Sequence, residues 1–311
     1  MAVGSRIFWL PRRGNNPDEY EDAFALDDAA GRYALADGAS EGCFTGLWAR
    51  LLVEDFVSRA EWDVSRWPFS LPAVQERWDI DVRARKLDWD TDYWVEQGAS
   101  AAFLGLALSG SPLPLGEGPG VRATVSPRAP LAYERMGERP GAAVSPLLTG
   151  EGQGVRAYRW QAVAVGDSCL FHTRNGVLLR AFPLDRSDQF GNRPQLLGSR
   201  MPVAAAGERQ RLWSDGYGQS GDRLWAMTDA LAKWCLTEHE AGGNPWRELE
   251  CATLPSPSGR GAGGEGDFLP SPSGRGAGGE GDCFAAWIES LRDSGRLLND
   301  DVTLLVILLE E

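Results

Sequence analysis

Histidine occurs only twice in the 311 residues, at His172 and His239. That leaves little imidazole for Ser-His-Asp, Cys-His or His-ligated zinc chemistry. Cysteine is almost as scarce: Cys43, Cys169, Cys235, Cys251 and Cys283 are odd in number, widely spread and without a C-x-x-C pair. Neither a disulfide framework nor a thiolate zinc site is indicated. Basic residues are in deficit, 31 Lys and Arg against 44 Asp and Glu, for a net charge of −13. Nucleic-acid binding, which depends on clustered cations against phosphates, is therefore not expected. The longest apolar runs, near 101–108 and 304–309, fall far short of the ~20 residues of a membrane span. The amino-terminal stretch lacks the apolar core and cleavage site of a secretory signal. A cytoplasmic, monomeric protein is expected, and if it is an enzyme, carboxylates carry its chemistry.

What the chain has in plenty is glycine and proline, unevenly placed. Residues 110–156 and 253–282 hold half of the 38 Gly and 11 of the 19 Pro. LPSPSGRGAGGEGD at 254–267 recurs at 269–282, and SPLPLGEGPGVRA at 111–123 has a looser copy, SPLLTGEGQGVRA, at 145–157. Two copies of a unit this poor in apolar residues cannot stack into a solenoid. Both stretches read as low-complexity insertions in a single domain spanning 1–311.

The remainder alternates strand and helix patterns. Residues 6–10, 23–26 and 32–36 read as short strands, the last stopping at Asp37-Gly38. Apolar residues at i, i+3, i+4 and i+7 over 44–57 predict an amphipathic helix, with Ser40 or Thr45 near its start. A second helix is expected over 72–89, and strands over 98–108 and 159–165. Residues 169–174 and 177–182 flank Asn175-Gly176 and predict a hairpin, since both turn positions need positive φ. A strand at 223–227 leads through Thr228-Asp229 into a helix, and further helices follow from Asn244-Pro245 and over 283–291. Residues 302–309 form a continuous apolar run, expected inside a sheet. Trp62, Trp67, Trp78, Trp89 and Trp94 read mainly as core. His172 and His239 read as ordinary, partly exposed residues, and Cys169 as a strand thiol.

The acids sit at strand ends: Glu21-Asp22 before one strand, Asp37 after another, Asp229 after a third, Asp300-Asp301 before the last. If those ends converge, several carboxylates share one pocket. Two such charges 4 Å apart repel by about 4 kcal/mol at an effective dielectric of 20, so the pocket calls for cations. Oxygen-only donors favour Mg²⁺, Mn²⁺ or Ca²⁺ over Zn²⁺. Gly38 leaves its own carbonyl able to turn toward an ion beside Asp37.

In order along the chain, YEDAFAL (20–26), ALADGASEG (34–42), GASAAFL (98–104), VAVGDSC (163–169), LWAMTDAL (224–231) and NDDVTLLVIL (299–308) resemble the successive motifs of the PP2C-type (PPM) metal-dependent serine/threonine phosphatases. The resemblance implies an α+β fold, a four-layer α-β-β-α sandwich with two central, mainly antiparallel sheets. It implies hydrolysis of phosphoserine and phosphothreonine in a phosphorylated protein substrate, by a water shared between two Mn²⁺ or Mg²⁺ ions. Matched residue by residue, Asp37 bridges both ions, Gly38 offers its carbonyl to the second, and Asp229 and Asp300 complete the first. Glu21 holds the second ion and Asp22 orders water, so Asp37, Asp22 and Glu21 form the catalytic set. Asp167 and Asp229 match a third, weaker metal site, and Asp301 stands in the place of an Asn behind the ligands.

Two departures matter. The Arg that clamps substrate phosphate in the family, four residues before the Glu, is Pro17 here, which leaves Arg12 or Arg13 as candidates. Asp229 is followed by Ala230 instead of glycine. The alternative is thus a catalytically impaired metal- or phosphoprotein-binding regulatory module. A calcium-dependent structural domain fits the donors but not the ordered motifs.

Overall fold

The computed structural model describes residues 3–39, 42–59, 64, 71–85, 89–111, 157–191, 194–200, 212–253 and 280–310. Both low-complexity stretches therefore lie almost wholly outside the described residues, as do Ser40, Trp62 and Trp67.

Eleven strands are described: Val3–Leu10 (β1), Ala23–Asp27 (β2), Arg32–Gly38 (β3), Ser100–Ser111 (β4), Ala157–Val165 (β5), Cys169–Arg174 (β6), Val177–Phe182 (β7), Leu197–Gly198 (β8), Leu212–Gln219 (β9), Arg223–Met227 (β10) and Val302–Leu309 (β11). They form two sheets, β1-β11-β10-β6-β7 and β2-β3-β4-β5-β9, with β8 paired to the start of β4. Every pairing is antiparallel. Six helices cover the outer faces: Thr45–Val57 (α1), Leu71–Arg83 (α2), Trp89–Gln97 (α3), Asp229–Glu240 (α4), Pro245–Thr253 (α5) and Glu280–Asp293 (α6).

Alternation along the strands builds the layers, because successive side chains point to opposite faces. Tyr33 and Leu35 of β3 with Leu104, Leu106 and Leu108 of β4 meet Leu224, Leu305 and Ile307 of the other sheet in a core between the sheets. Ala34, Ala36 and Phe103, one residue out of phase, face Trp48, Leu52 and Phe56 of α1. On the far side Val302, Leu304 and Val306 of β11 pack with Leu231, Trp234 and Leu249 of α4 and α5 and Ile288 of α6. The unbroken apolar run at 304–309 thus follows from burial on both faces. The expected four-layer sandwich is the observed one.

Local expectations fare unevenly. β3 runs through Asp37 and Gly38 instead of stopping before them. The helix expected over 72–89 ends at Arg83, and a separate one occupies Trp89–Gln97. α1 starts after Phe44, which is left-handed at φ 58 and gives no side-chain cap; Thr45 uses its hydroxyl elsewhere. The hairpin turn is as expected, with φ 51 at Asn175 and 71 at Gly176. β4 and β5 pair out to Ser111 and Ala157. The last three residues of the second low-complexity stretch, Glu280 onward, belong to α6. His172 is buried, not partly exposed, and bonds Asp222; His239 is exposed in the last turn of α4. Trp78 is core as expected, whereas Trp94 is half exposed.

β9 has no apolar alternation to announce it. Its glycines admit neighbours instead: a Cβ on Gly216 would stand 2.4 Å from the Trp160 ring, and one on Gly218 2.4 Å from Leu309 Cδ1.

Candidate active site

Strand register decides where the acids go. Ala23 pairs with Ala36 and Asp37 with Ala102, which aligns the start of β2, the end of β3 and the start of β4. Phe103 pairs with Val165, bringing the end of β5 and the following Asp167 to the same edge. In the other sheet Met227 pairs with both Cys169 and Leu304, aligning the end of β10 with the start of β11. Acids far apart in the chain therefore border one cavity of about 510 Å³: Glu21, Asp37, Asp167, Asp229, Asp300 and Asp301, with Gly38, Arg12 and Lys233.

Glu21, Asp229 and Asp301 are held by their own neighbours. Asp301 Oδ1 accepts the backbone N–H of Arg12 at 2.7 Å and its Oδ2 that of Glu21 at 2.8 Å, tying the end of β1 and the approach to β2 onto the start of β11. Thr45 Oγ1 donates to Glu21 Oε1 at 2.5 Å, so the first residue of α1 holds a carboxylate instead of capping its helix. Gly38 is required sterically: a Cβ there would lie 2.7 Å from the Glu21 carbonyl oxygen and 3.2 Å from the Thr45 backbone. Asp229 opens α4, where the helix N-terminus favours negative charge, and accepts the Ala230 N–H. The loop before β11 is fixed by Arg292, which donates to the carbonyls of Pro11 at 3.1 Å and Asp300 at 2.5 Å.

Asp22 is not on the cavity wall. It is buried behind Glu21 and Asp37, its Oδ2 accepting from Thr303 Oγ1 at 2.6 Å, while Thr303 also bonds the Tyr20 hydroxyl. Asp22 Oδ1 is buried without a hydrogen-bond partner.

The electrostatics are those of like charges confined together. Burial, and then Asp22, Asp229, Asp167 and Asp300, push the Asp37 carboxyl well above its ordinary range. Asp22 is raised in the same sense, by burial first and by Asp301 and Asp229. Burial, Asp167 and Asp300 raise Asp229 to about 7 despite the Ala230 N–H and Lys233. Burial and Asp300 also raise Asp167. Among the described residues no three His, Cys, Asp or Glu side chains surround a single point in ligand geometry. The donor set nevertheless fits hard divalent ions: it is all oxygen and it is over-supplied with negative charge.

The two candidate arginines differ. Arg12 lines the cavity. The Arg13 guanidinium is turned onto α6, with Nε donating to Glu289 at 2.7 Å and a second nitrogen 2.8 Å from Asp293. Pro17 lies in a 3-10 turn, Pro17–Glu19. Cys169 is buried, and burial pushes its thiol well above the ordinary range, consistent with an inert strand residue. Two contributors escaped the sequence reading. Lys233 was signalled by its place four residues after Asp229 on one helix, a spacing that shares a face; Thr45 carried no signal as a carboxylate partner.

No protein-family model matches the sequence, and no curated protein does. Solved structures match across the whole chain. They include the serine/threonine phosphatase PstP/Ppp of Mycobacterium tuberculosis, at 13% identity over 100% of both chains with a TM-score of 0.52. The catalytic domain of PstP in complex with two manganese ions matches at 14% identity over 100% of both chains, TM-score 0.50. The photosystem II phosphatase PBCP matches at 12% identity over 99% of each chain, TM-score 0.50. The chain thus has the fold of the PP2C-type serine/threonine phosphatases.

Proposed function

We propose that the protein is a metal-dependent phosphatase acting on phosphoserine and phosphothreonine in protein substrates. The observation that carries this reading is the convergence of six acids, from strand ends of both sheets, on one cavity that also holds Arg12 and Lys233. The fold it shares with PstP and PBCP supports the same reading.

In this reading Asp37, Gly38 through its carbonyl, Asp229 and Asp300, together with Glu21, would hold two Mn²⁺ or Mg²⁺ ions, and Asp167 with Asp229 would hold a third. Bound there, divalent ions supply Lewis acidity, making a water acidic and drawing charge from a phosphoryl group. The chain's own part is positional. Thr45 fixes the Glu21 carboxylate, Gly38 lets the start of α1 close against β3, and Asp301 holds the backbone at Arg12 and Glu21. Asp22, behind that wall, keeps Thr303 and Tyr20 in place and presents an oxygen with no protein donor. Arg12 stands on the wall to meet anionic oxygens.

The test is hydrolysis of an aryl phosphate and of a phosphothreonine peptide with Mn²⁺, with Mg²⁺ and with EDTA, beside Asp229→Asn. Metal-dependent turnover lost in the variant is expected. The turn of Arg13 onto α6 and the Pro17 turn favour one other reading, the metal- or phosphoprotein-binding module. It is the better account if the ions bind and nothing turns over.

A further inference from the structure

The acids of the cavity explain how cations are held there, but not how a phosphate dianion is admitted among them. A phosphate approaching six carboxylates needs positive groups aimed at its own oxygens as well as ions shared with the wall. Arg12 provides one from the end of β1, beside Asp301. On the opposite sheet's side the cation on the wall is Lys233.

Its position follows from helix geometry. Asp229 is the first residue of α4, and Lys233 follows by four, so both side chains project from one face into the cavity. Leu231 and Trp234 turn the other way, into the core beneath the helix. Other basic side chains around the site have fixed employment: Arg13 is paired with Glu289 and Asp293, and Arg292 with Glu289 and two carbonyls. Among the described residues no carboxylate holds the Lys233 ammonium in a salt bridge. A flexible four-carbon stem lets that ammonium follow a ligand.

We propose that Lys233 is a phosphate-binding residue of this site, donating from its ammonium to the substrate's phosphate oxygens on the α4 side. The inference rests on the phosphatase reading and names the group that receives the phosphate where Pro17 offers none.

The test compares Lys233→Met and Lys233→Arg with the unaltered full chain, loaded with Mg²⁺. Calorimetric titration with inorganic phosphate reports phosphate binding without turnover, and titration of the chain with Mg²⁺ reports ion binding. Lys233→Met is expected to weaken phosphate binding roughly ten-fold, as for one lost charge-assisted hydrogen bond. The same variant is expected to bind Mg²⁺ more tightly, because a positive charge beside Asp229 is gone. Opposite movements of the two affinities do not arise from a misfolded site. Lys233→Arg is expected to keep phosphate affinity within a few-fold, and the KM for aryl phosphate is expected to rise more in Lys233→Met than kcat falls. Unchanged phosphate affinity in Lys233→Met overturns the inference, as does an unaltered protein that binds no phosphate. Phosphate binding that depends on Lys233, with no turnover by the unaltered protein, sustains the inference and removes the phosphatase reading alone.

Discussion

A site built of mutually repelling acids should destabilise the metal-free protein, and Asp229→Asn exposes that stress. In the folded chain Asp229 is raised from 3.8 to about 7 by burial, Asp167 and Asp300. The sign is fixed by linkage: with the folded value raised, the folded state holds the proton more tightly, so stability is fully present below the unfolded value and is lost as pH rises toward 7. A displacement of that size corresponds to about 4 kcal/mol at pH 8. Asparagine keeps an oxygen to accept the Ala230 N–H and removes the charge. In EDTA at pH 8 the variant should therefore be more stable than the unaltered protein by up to about 4 kcal/mol, and by roughly half of that or less at pH 5. For a folded region of this size, 1 kcal/mol moves the Tm by about 2–4 °C. Thermal unfolding followed by circular dichroism at both pH values reads the effect directly. Saturating Mn²⁺ should reverse the order, since an ion present at 100 times its Kd adds about 2.7 kcal/mol to the protein that binds it. A variant that melts at or below the unaltered protein in EDTA at pH 8 would refute the picture of a charge-strained cavity.

Two further outcomes follow from the same geometry. Asp222→Asn should lower stability by about 3 kcal/mol, because this buried carboxylate accepts from Arg174 at 2.7 and 2.9 Å, His172 at 2.8 Å and the Gln219 N–H at 3.0 Å. Although burial opposes it, pairing with Arg174 and His172 lowers Asp222 to about 2, so its contribution is present above pH ~4 and disappears as pH falls through about 2, read by chemical denaturation across that range. Asp301→Leu should reduce kcat/KM at least ten-fold, and raise the Mn²⁺ needed for half-activation, while lowering stability by no more than about 2 kcal/mol. It frees the Arg12 and Glu21 N–H groups without touching Asp37 or Asp229. Unchanged metal dependence would remove the positioning role of Asp301.

The acids were legible because each adjoins a strong apolar strand. β11 is buried on both faces, so its sequence is apolar but for Thr303 and Asp300-Asp301 stand out at its start. α1 was legible for the related reason that one stripe, from Trp48 to Phe56, carries its burial. β9 was not, because its place in the sheet depends on what Gly216 and Gly218 lack, and close approach of Trp160 and Leu309 leaves no periodicity in the residues that permit it. His172 was misread for a comparable reason: its partner Asp222 lies fifty residues away, in the turn between β9 and β10.

The division between Arg12 and Arg13 shows where sequence reading reaches its limit at the site. Both arginines lie past the last residue of β1, at a turn in which the Asn15 N–H donates to the Arg12 carbonyl, and nothing local says which of the two faces the cavity. That is settled by α6, whose Glu289 and Asp293 draw Arg13 to themselves. Asp301 makes the complementary choice, holding the Arg12 backbone against the start of β11. Lys233 needed no such distant help, since its alignment with Asp229 is a property of one helix. Chemistry carried by side chains on one element is thus open to a reader of the sequence. Chemistry that depends on which neighbour captures a side chain becomes visible only when both elements are in place, and the two cations on this cavity's wall, Lys233 and Arg12, are one of each kind.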